Sequence, residues 1–171
     1  METHERRRAI LAHLQAAREP VPGSVLAKQF GVSRQVIVQD MSVLRAAGHP
    51  ILPTTRGYIW LSAANVPRPR LVVAVRHTPE QTQDELERLV DLGVTVVDVI
   101  VEHPIYGEVR GQLMHSTRAH VRAFLERLRE TQARLLSELT DGVHLHTLEA
   151  DDPARLDMAV AVLRQAGYLI E

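Results

Sequence analysis

Two prolines in a short stretch of small and polar residues divide this chain into two parts of opposite charge. The stretch SAANVPRPR occupies 62–70, and each proline disfavours a helical conformation of the residue before it. Residues 1–61 have eight Lys and Arg against four Asp and Glu, a net charge of +4, whereas residues 62–171 have 12 against 17, a net charge of −5. We therefore predict two domains, 1–61 and 71–171, joined by a linker at 62–70 and suited to different binding partners.

Composition narrows the classes of protein and of site that remain. The chain has no cysteine, which excludes disulfides and every cysteine-ligated zinc or iron–sulfur site, so a transition metal would have to be held by His, Asp or Glu. The N-terminus, METHERRRAI, has no apolar signal-peptide core, and the longest apolar runs, such as LVVAV at 71–75, fall far below the roughly 18 residues of a membrane span. We expect a cytoplasmic protein with no membrane partner.

The first part of the chain has the order of elements found in a winged helix-turn-helix domain. Apolar spacing and helix-ending residues predict helices at 4–18, 24–30 and 34–47, followed by two short strands within 50–61. Between the second and third helices, Gly31 and Val32 lead into Ser33, a good N-cap residue. A plain three-helix bundle is the alternative. The stretch LAKQFGVSRQVIVQDMSVLRAAG, with its hairpin, closely resembles the winged-helix domain of biotin-repressor-type bacterial regulators.

The outer face of the third helix carries side chains suited to reading DNA. With Ile37, Met41 and Leu44 in the core, the first turn of this helix would enter the major groove. Arginine can donate twice to guanine, glutamine can pair with adenine, and an arginine at the hairpin tip suits phosphate or the minor groove. We predict contacts with double-stranded operator DNA from Ser33, Arg34, Gln35, Gln39, Arg45 and Arg56. For any single one of them, a solvated helix face is the alternative.

The second part of the chain alternates strands and helices in the order β-α-β-β-α-β-α. Apolar runs and helix caps predict strands at 71–77, 95–103, 108–115 and 142–150, and helices at 78–93, 117–130 and 153–166. This order matches a ferredoxin-like split βαβ arrangement with one extra helix, an α/β sandwich. The fold class predicted for the whole chain is therefore α+β, with an N-terminal winged helix-turn-helix followed by this sandwich.

Histidines that are distant in the sequence are expected to meet at one end of this sheet. Residues two apart on a strand point to the same face, so His144 and His146 can bind one ion. The ends of neighbouring strands bring His77 and His103 to the same rim. An oxygen ligand would complete the site, and Asp84, Glu85 and Glu102 are the candidates. The alternative for the His-x-His pair is two polar surface residues.

Three segments of the second part resemble the signature of the three-histidine (3H) regulatory domain. They are HTPEQTQDEL at 77–86, VIVEHPIYG at 99–107 and GVHLHT at 142–147. This domain accompanies a winged helix in the niacin-responsive repressors of bacterial NAD metabolism, the NiaR or YrxA family. The resemblance implies one divalent transition metal, zinc or nickel, held by His77, Glu85, His144 and His146. Without the resemblance, Glu85 reads as a solvated helix residue that pairs with Arg88.

The resemblance also implies nicotinic acid as effector, and therefore a site for a flat ring with one carboxylate. Such a ligand needs an apolar or aromatic slot and a cation. We predict His103, Tyr106 and Arg110 as its contacts, although the metal could also take the carboxylate. For His103 the alternative is a core histidine, and Tyr106 would then simply pack the turn.

Taken together, the two resemblances predict a metal-containing, ligand-responsive transcriptional repressor and not an enzyme. We expect a homodimer that binds a palindromic operator and uses nicotinic acid as co-repressor. Two alternatives remain open. A metal-dependent hydrolase would need a general base that does not bind the metal, and none stands out. A metal sensor would respond to the ion itself.

Overall fold

The computed structural model describes residues 1–62 and 67–171, and it contains two compact units, Met1–Asn65 and Val66–Glu171. Residues 63–66 of the predicted linker lie outside the described residues. The last residue of that linker, Arg70, is already the first residue of a strand. The predicted α+β class and the order of a helix-turn-helix followed by a sheet-containing domain are confirmed.

The N-terminal unit consists of three helices and a small sheet. Its elements are α1 (Thr3–Ala16), α2 (Gly23–Phe30), α3 (Arg34–Ala46), β1 (Ile51–Thr54) and β2 (Gly57–Trp60). Ser33 caps α3 as predicted, because its hydroxyl accepts a hydrogen bond from the Val36 N–H at 3.2 Å. The sheet has a third short partner that the sequence did not predict, since Val21 and Tyr58 exchange two backbone hydrogen bonds.

The core of this unit follows the helical spacing of its apolar residues. Ile10 and Leu14 of α1 pack against Ile37, Met41 and Leu44 of α3, and all five are buried. This burial leaves the opposite face of α3 in solvent. The solvent-exposed face of α3 thus combines polar side chains with two exposed valines, Val38 and Val43.

The C-terminal unit contains a four-stranded antiparallel sheet and three helices. Its elements are β3 (Arg70–Arg76), α4 (Thr82–Asp91), β4 (Thr95–His103), β5 (Gly107–His115), α5 (Arg118–Thr131), β6 (Val143–Glu149) and α6 (Pro153–Gln165). Two 3-10 turns, Pro79–Gln81 and Leu136–Thr140, precede α4 and β6. The helix predicted at 78–93 thus begins with a 3-10 turn, in which the Thr78 N–H donates to Gln81 Oε1 at 2.9 Å.

The strand order corrects one part of the ferredoxin-like prediction. The order is β3-β6-β4-β5, so the last strand lies between the first two of this unit. In a ferredoxin-like sheet the third strand takes that position. Here β5 instead folds back on the outer edge of β4 as a hairpin. The fourth strand, β6, therefore has neighbours on both sides, which places its histidines in the middle of the sheet.

Only one face of β3 is buried, although the apolar run LVVAVRH predicts a buried strand. Val73 and Val75 face the core, whereas Val72 is exposed. An apolar run cannot reveal which of its alternate residues meets solvent. The outer edge of β3 is covered by the C-terminal residues, since the Ile170 N–H donates to the Ala74 carbonyl at 2.9 Å.

The three helices of this unit and one face of its sheet enclose the second core. Leu86 and Leu89 of α4 lie in this cluster with Val121 of α5 and Leu163 of α6. No helix in the described part of the chain combines the length and the apolar character that crossing a bilayer requires.

Candidate metal centre and nucleic-acid interface

Four side chains predicted as metal ligands come together beneath α4. His77 follows the last residue of β3, Glu85 lies in the first turn of α4, and His144 and His146 point from β6 toward the same helix. All four side chains are buried. His77, Glu85 and His144 present ligand atoms that all lie within 4.8 Å of one another.

The contacts within the cluster centre on the Glu85 carboxylate. His77 Nε2 lies 2.7 Å from Oε2, and His146 Nε2 lies 2.8 Å from Oε1. His144 Nε2 lies 3.6 Å from Oε2 and 3.2 Å from His146 Nε2. Three imidazole nitrogens and two carboxylate oxygens therefore face one small volume.

The outer nitrogens of the three rings fix which nitrogen carries the hydrogen. His77 Nδ1 lies 2.8 Å from the Thr78 carbonyl, His144 Nδ1 lies 2.8 Å from the Gly142 carbonyl, and His146 Nδ1 lies 2.7 Å from the Asp98 carbonyl. A carbonyl oxygen only accepts, so each Nδ1 donates, and each neutral ring keeps its lone pair on Nε2. Metal-binding histidines usually have this second contact to a carbonyl or carboxylate.

This arrangement leaves the centre of the cluster without hydrogens. When the rings are neutral, all of the nitrogen and oxygen atoms that face the centre are hydrogen-bond acceptors. His77 Nε2 and Glu85 Oε2 are among the buried atoms that have no hydrogen-bond partner within the described residues. Buried acceptors that face each other are unfavourable unless a cation or added protons lie between them. The donor set fits a divalent metal with nitrogen and oxygen ligands.

The electrostatics of the cluster couple the Glu85 carboxylate to the histidines around it. Burial raises the pKa of Glu85, but the three histidines around it outweigh burial and hold that pKa well below its usual value. Burial lowers the pKa of His146, but the charge of Glu85 and its hydrogen bond outweigh this effect, so that the pKa is raised. The cluster therefore contains an ionised carboxylate that attracts positive charge.

A glycine allows the chain to turn into β6 next to the site. Gly142 has a φ of +88°, and a Cβ at this position would collide with the His77 carbonyl oxygen. Its own carbonyl receives the His144 Nδ1 hydrogen. The segment GVHLHT thus combines two candidate ligands, His144 and His146, with the turn that orients His144.

The other carboxylates considered as oxygen ligands lie elsewhere. Asp84 accepts from Tyr168 Oη at 2.6 Å and from Arg88 Nε at 2.8 Å, on the solvent side of α4. Glu102 is exposed on β4. Arg88 therefore pairs with Asp84 and not with Glu85, contrary to the alternative drawn from sequence.

A cavity of about 540 Å³ opens beside the cluster of Glu85 and the three histidines. It lies between the end of β3, the turn before α4 and the segment before β6. Its lining contains three cationic or titratable side chains, Arg76, His77 and Arg134, together with the carboxylates of Glu138 and Asp141. Arg76 Nη2 lies 3.0 Å from Asp141 Oδ2 in an exposed ion pair.

The three residues predicted as effector contacts lie on the β4–β5 hairpin, and they do not line this cavity. His103 Nδ1 accepts from the N–H groups of Ile105 and Tyr106 at 3.1 and 3.2 Å, and so caps the hairpin turn. The Tyr106 side chain is largely exposed. Arg110 Nη1 donates to Asp98 Oδ2 at 2.6 Å. His103 therefore lies at the same end of the sheet as the other histidines, as predicted, and its Nδ1 is bonded to the backbone of its own turn.

Asp98 supports the site and was not predicted from sequence. Its carbonyl accepts from His146, while its buried carboxylate accepts from the Thr147 N–H at 2.8 Å and from Arg110. The sequence signal that could have identified it is an acidic residue within the apolar strand TVVDVIVEH. The residue ties β4 to β6, the strand that carries two of the candidate ligands.

The predicted DNA-reading residues of α3 lie on its solvent face. The exposed members of this set are Ser33, Arg34, Gln35, Gln39 and Arg45. Arg56 lies in the β1–β2 turn, as expected of a wing, but it is half-buried, and its Nη2 lies 2.6 Å from Glu19 Oε2. Contact with a phosphate at this position would have to compete with Glu19.

A buried ion pair fixes α3 against α1, and sequence reasoning missed it. Asp40 is buried on α3, where its carboxylate accepts from Arg6 Nε at 2.7 Å and from Arg7 Nε at 2.8 Å. Arg6 is also buried. Asp40 lies next to Met41 on the inward face, and a charged residue at such a position is a signal for a buried partner.

Comparison with known proteins assigns both units. A family model described as HTH domain matches residues 6–59, and one described as 3H domain matches residues 70–171. The Transcription repressor NadR of Bacillus subtilis (strain 168) is 45% identical over 168 residues, which cover 97% of this chain and 93% of that protein. The Probable transcription repressor NiaR of Thermotoga maritima is 43% identical over 167 residues, which cover 98% and 94%.

These matches confirm the resemblance found in the three histidine-containing segments, and they agree with a regulator and not an enzyme. They extend over both units. The chain therefore belongs to the family of transcription repressors that combine an N-terminal HTH domain with a C-terminal 3H domain.

Proposed function

We propose that this protein is a cytoplasmic repressor of genes for NAD biosynthesis or niacin uptake, which binds one divalent metal and responds to nicotinic acid. The observation that carries the proposal is the convergence of three imidazole Nε2 atoms on the buried Glu85 carboxylate. Bound there, the metal would neutralise the carboxylate and hold α4 to β6. Nitrogen and carboxylate ligands suit zinc or nickel.

The cavity beside the cluster supports a small anionic effector. Nicotinate needs a cation for its carboxylate and a slot for its ring. Arg76 and Arg134 line the cavity, and His77 connects it to the metal cluster. The hairpin residues His103, Tyr106 and Arg110 remain predicted effector contacts. Because they do not line the cavity, they would take part in binding only if the tip of the β4–β5 hairpin reaches the bound ligand from outside the cavity.

The exposed face of α3 supports DNA binding by a dimer. Its first turn would enter the major groove, where Arg34 and Gln35 reach base edges. A two-fold dimer of such domains binds half-sites roughly 34–36 Å apart, or a multiple of that distance. The effector regulates only if it binds the DNA-competent dimer better than the other state.

The test is a calorimetric titration of the metal-loaded protein with nicotinate, nicotinamide and NAD. We expect nicotinate to bind and to strengthen operator binding. We expect His144→Ala combined with His146→Ala to remove the bound metal while the N-terminal winged-helix unit remains folded. Unchanged metal content in that double variant, measured by elemental analysis, would refute the metal centre.

A second arm separates nicotinate sensing from metal sensing. Protein stripped with a chelator is reloaded with zinc or nickel in the absence of nicotinate, and operator affinity is measured at fixed salt. Full recovery of operator binding by the metal alone would favour a metal sensor. Recovery that requires nicotinate as well supports the proposed effector.

A further inference from the structure

The face of the C-terminal sheet that points away from its helices contains a continuous apolar patch. Alternate residues of β3 point to this face, opposite to the core residues Val73 and Val75. Alternate residues of β6 do the same, opposite to His144 and His146. The pairs that share this face are Val72 with Thr147, Ala74 with Leu145, and Arg76 with Val143. The side chains of Val72, Val143, Leu145 and Ile170 are exposed to solvent, and Val72 is 55% exposed. We call Val72, Ala74, Val143, Leu145 and Ile170 the open-face patch.

The edge of the sheet next to this patch is already occupied by the same chain. Leu169 forms a bridge with Val75, and the Ile170 N–H donates to the Ala74 carbonyl. Another chain cannot add a strand at this position without displacing the C-terminus. A partner would therefore have to pack on the face of the sheet and not along this edge.

Ion pairs with both signs of charge border the patch at its two ends. Arg70 Nε lies 2.8 Å from Glu149 Oε2 at one end, and Arg76 Nη2 lies 3.0 Å from Asp141 Oδ2 at the other. A two-fold interface brings a surface against a copy of itself, so each charge needs an opposite charge within the same surface. Each end of the patch has both an arginine and a carboxylate. Opposite charges can therefore meet whether the strands of the two copies run parallel or antiparallel to each other.

We propose that the open-face patch is the contact between two copies of this chain. The proposal rests on the dimer in the proposed function and names the surface that forms it. Two sheets would pack face to face with apolar side chains at the centre and arginine–carboxylate pairs at the rim. Arg76 and Asp141 also line the cavity, so the partner copy and an anionic effector would meet at the same ion pair.

The test is the mass of the full-length, metal-loaded protein in solution, measured by sedimentation as a function of concentration. Val72→Glu places a charge at the most exposed apolar residue of β3 within the proposed contact. Because a two-fold interface buries the changed residue twice, a tenfold cost in each copy becomes about a hundredfold rise in the dimer dissociation constant. Ile170→Glu tests the same patch near the chain end, should Val72→Glu fail to fold.

Met158→Glu is the matched control, because Met158 is 51% exposed on α6 in the helical layer. We expect this variant to remain a dimer. Arg70→Glu should also weaken the dimer, and Arg70→Glu combined with Glu149→Arg should restore it. A dimer unaffected by Val72→Glu and Ile170→Glu, or weakened equally by Met158→Glu, would overturn this surface while leaving the proposed dimer intact. A wild-type monomer bound to operator would overturn the proposed dimer as well.

Discussion

Replacement of Asp40 by asparagine should destabilise the N-terminal unit severely. The change keeps the volume of the side chain but removes the charge that Arg6 and Arg7 share. The Asp40 side chain is 2% exposed and that of Arg6 is 11% exposed, so Arg6 would keep its charge with little access to water. Removal of one partner from a buried ion pair costs about 3–5 kcal/mol.

This loss is comparable with the whole stability of a unit of this size. About sixty residues give a free energy of unfolding on the order of 3–9 kcal/mol. The assay is urea unfolding followed by the fluorescence of Trp60, which is the single tryptophan of the chain and lies in the N-terminal unit. With a slope of about 1 kcal/mol per M urea, the unfolding midpoint should fall by about 3 M or the folded baseline should be lost.

Glu19→Gln is the matched control in the same unit. Glu19 pairs with Arg56 at 2.6 Å, but its side chain is 74% exposed. An exposed pair of this kind contributes about 0–1 kcal/mol, so the midpoint should hardly move. If Asp40→Asn and Glu19→Gln shift the midpoint equally, the stabilisation assigned to the buried pair is refuted.

Three further predictions address pH, metal binding and DNA reading. Burial raises the pKa of Asp40, but its hydrogen bonds to Arg6 and Arg7 lower that pKa by more, so the net pKa lies below its usual value. The folding stability that this shift contributes should be present above about pH 4, the pKa of an unfolded aspartate, and should be lost as the pH falls through the folded pKa. A pH titration of the stability of Asp40→Asn should lack this loss. Gly142→Ala should weaken metal affinity about tenfold to a hundredfold in a chelator competition, because strain of about 1–3 kcal/mol displaces His77. The control is Gly107→Ala, which also has a positive φ but lies in open space and should retain the metal. Equal metal affinities of the two variants would contradict this prediction. Arg34→Ala should reduce operator affinity by about 1–3 kcal/mol at fixed salt with unchanged effector binding, and unaltered affinity would remove Arg34 from the reading set.

Local sequence signals predicted the elements, and they were sufficient wherever the next few residues decide the structure. Ser33 caps α3, and Thr78 begins the turn before α4, because a cap depends on the backbone within three residues of it. The alternation in HLH likewise places His144 and His146 on one face of any strand. These parts of the site needed no knowledge of the tertiary fold.

The parts that sequence patterns missed depend on which elements become neighbours. Asp84 and Glu85 are adjacent in the helical sequence, and only the position of α4 over β6 decides that Glu85 faces the histidines. The family resemblance named Glu85, and Glu85 is the one of the two that faces the histidines, whereas spacing alone favoured neither. Asp40 is a similar case, because its partners lie 33 and 34 residues away on α1.

The strand order and the hairpin show a second limit of the same kind. The sequence of elements is compatible with either β5 or β6 between the first two strands, because both give an antiparallel sheet. His103 lies at the predicted end of the sheet, but its Nδ1 accepts from two N–H groups of its own turn, whereas Nδ1 of each clustered histidine contacts a carbonyl. Short-range hydrogen bonds of a turn can thus remove a residue from a site that topology brings near.

Regulation by a small anion requires that the ligand bind one state of the protein better than the other, and replacement of a weak contact by a stronger one in that state achieves this. A hundredfold change in operator affinity corresponds to about 2.7 kcal/mol of coupling. The Arg76–Asp141 pair is exposed on both sides and is therefore easily displaced. A carboxylate enclosed in the adjoining cavity would form charge-assisted hydrogen bonds of about 1.5–3 kcal/mol each, so one or two such bonds are sufficient. Arg76→Gln should therefore weaken the response of operator binding to nicotinate while leaving metal content unchanged, and a response of full size in that variant would exclude the cavity as the effector site.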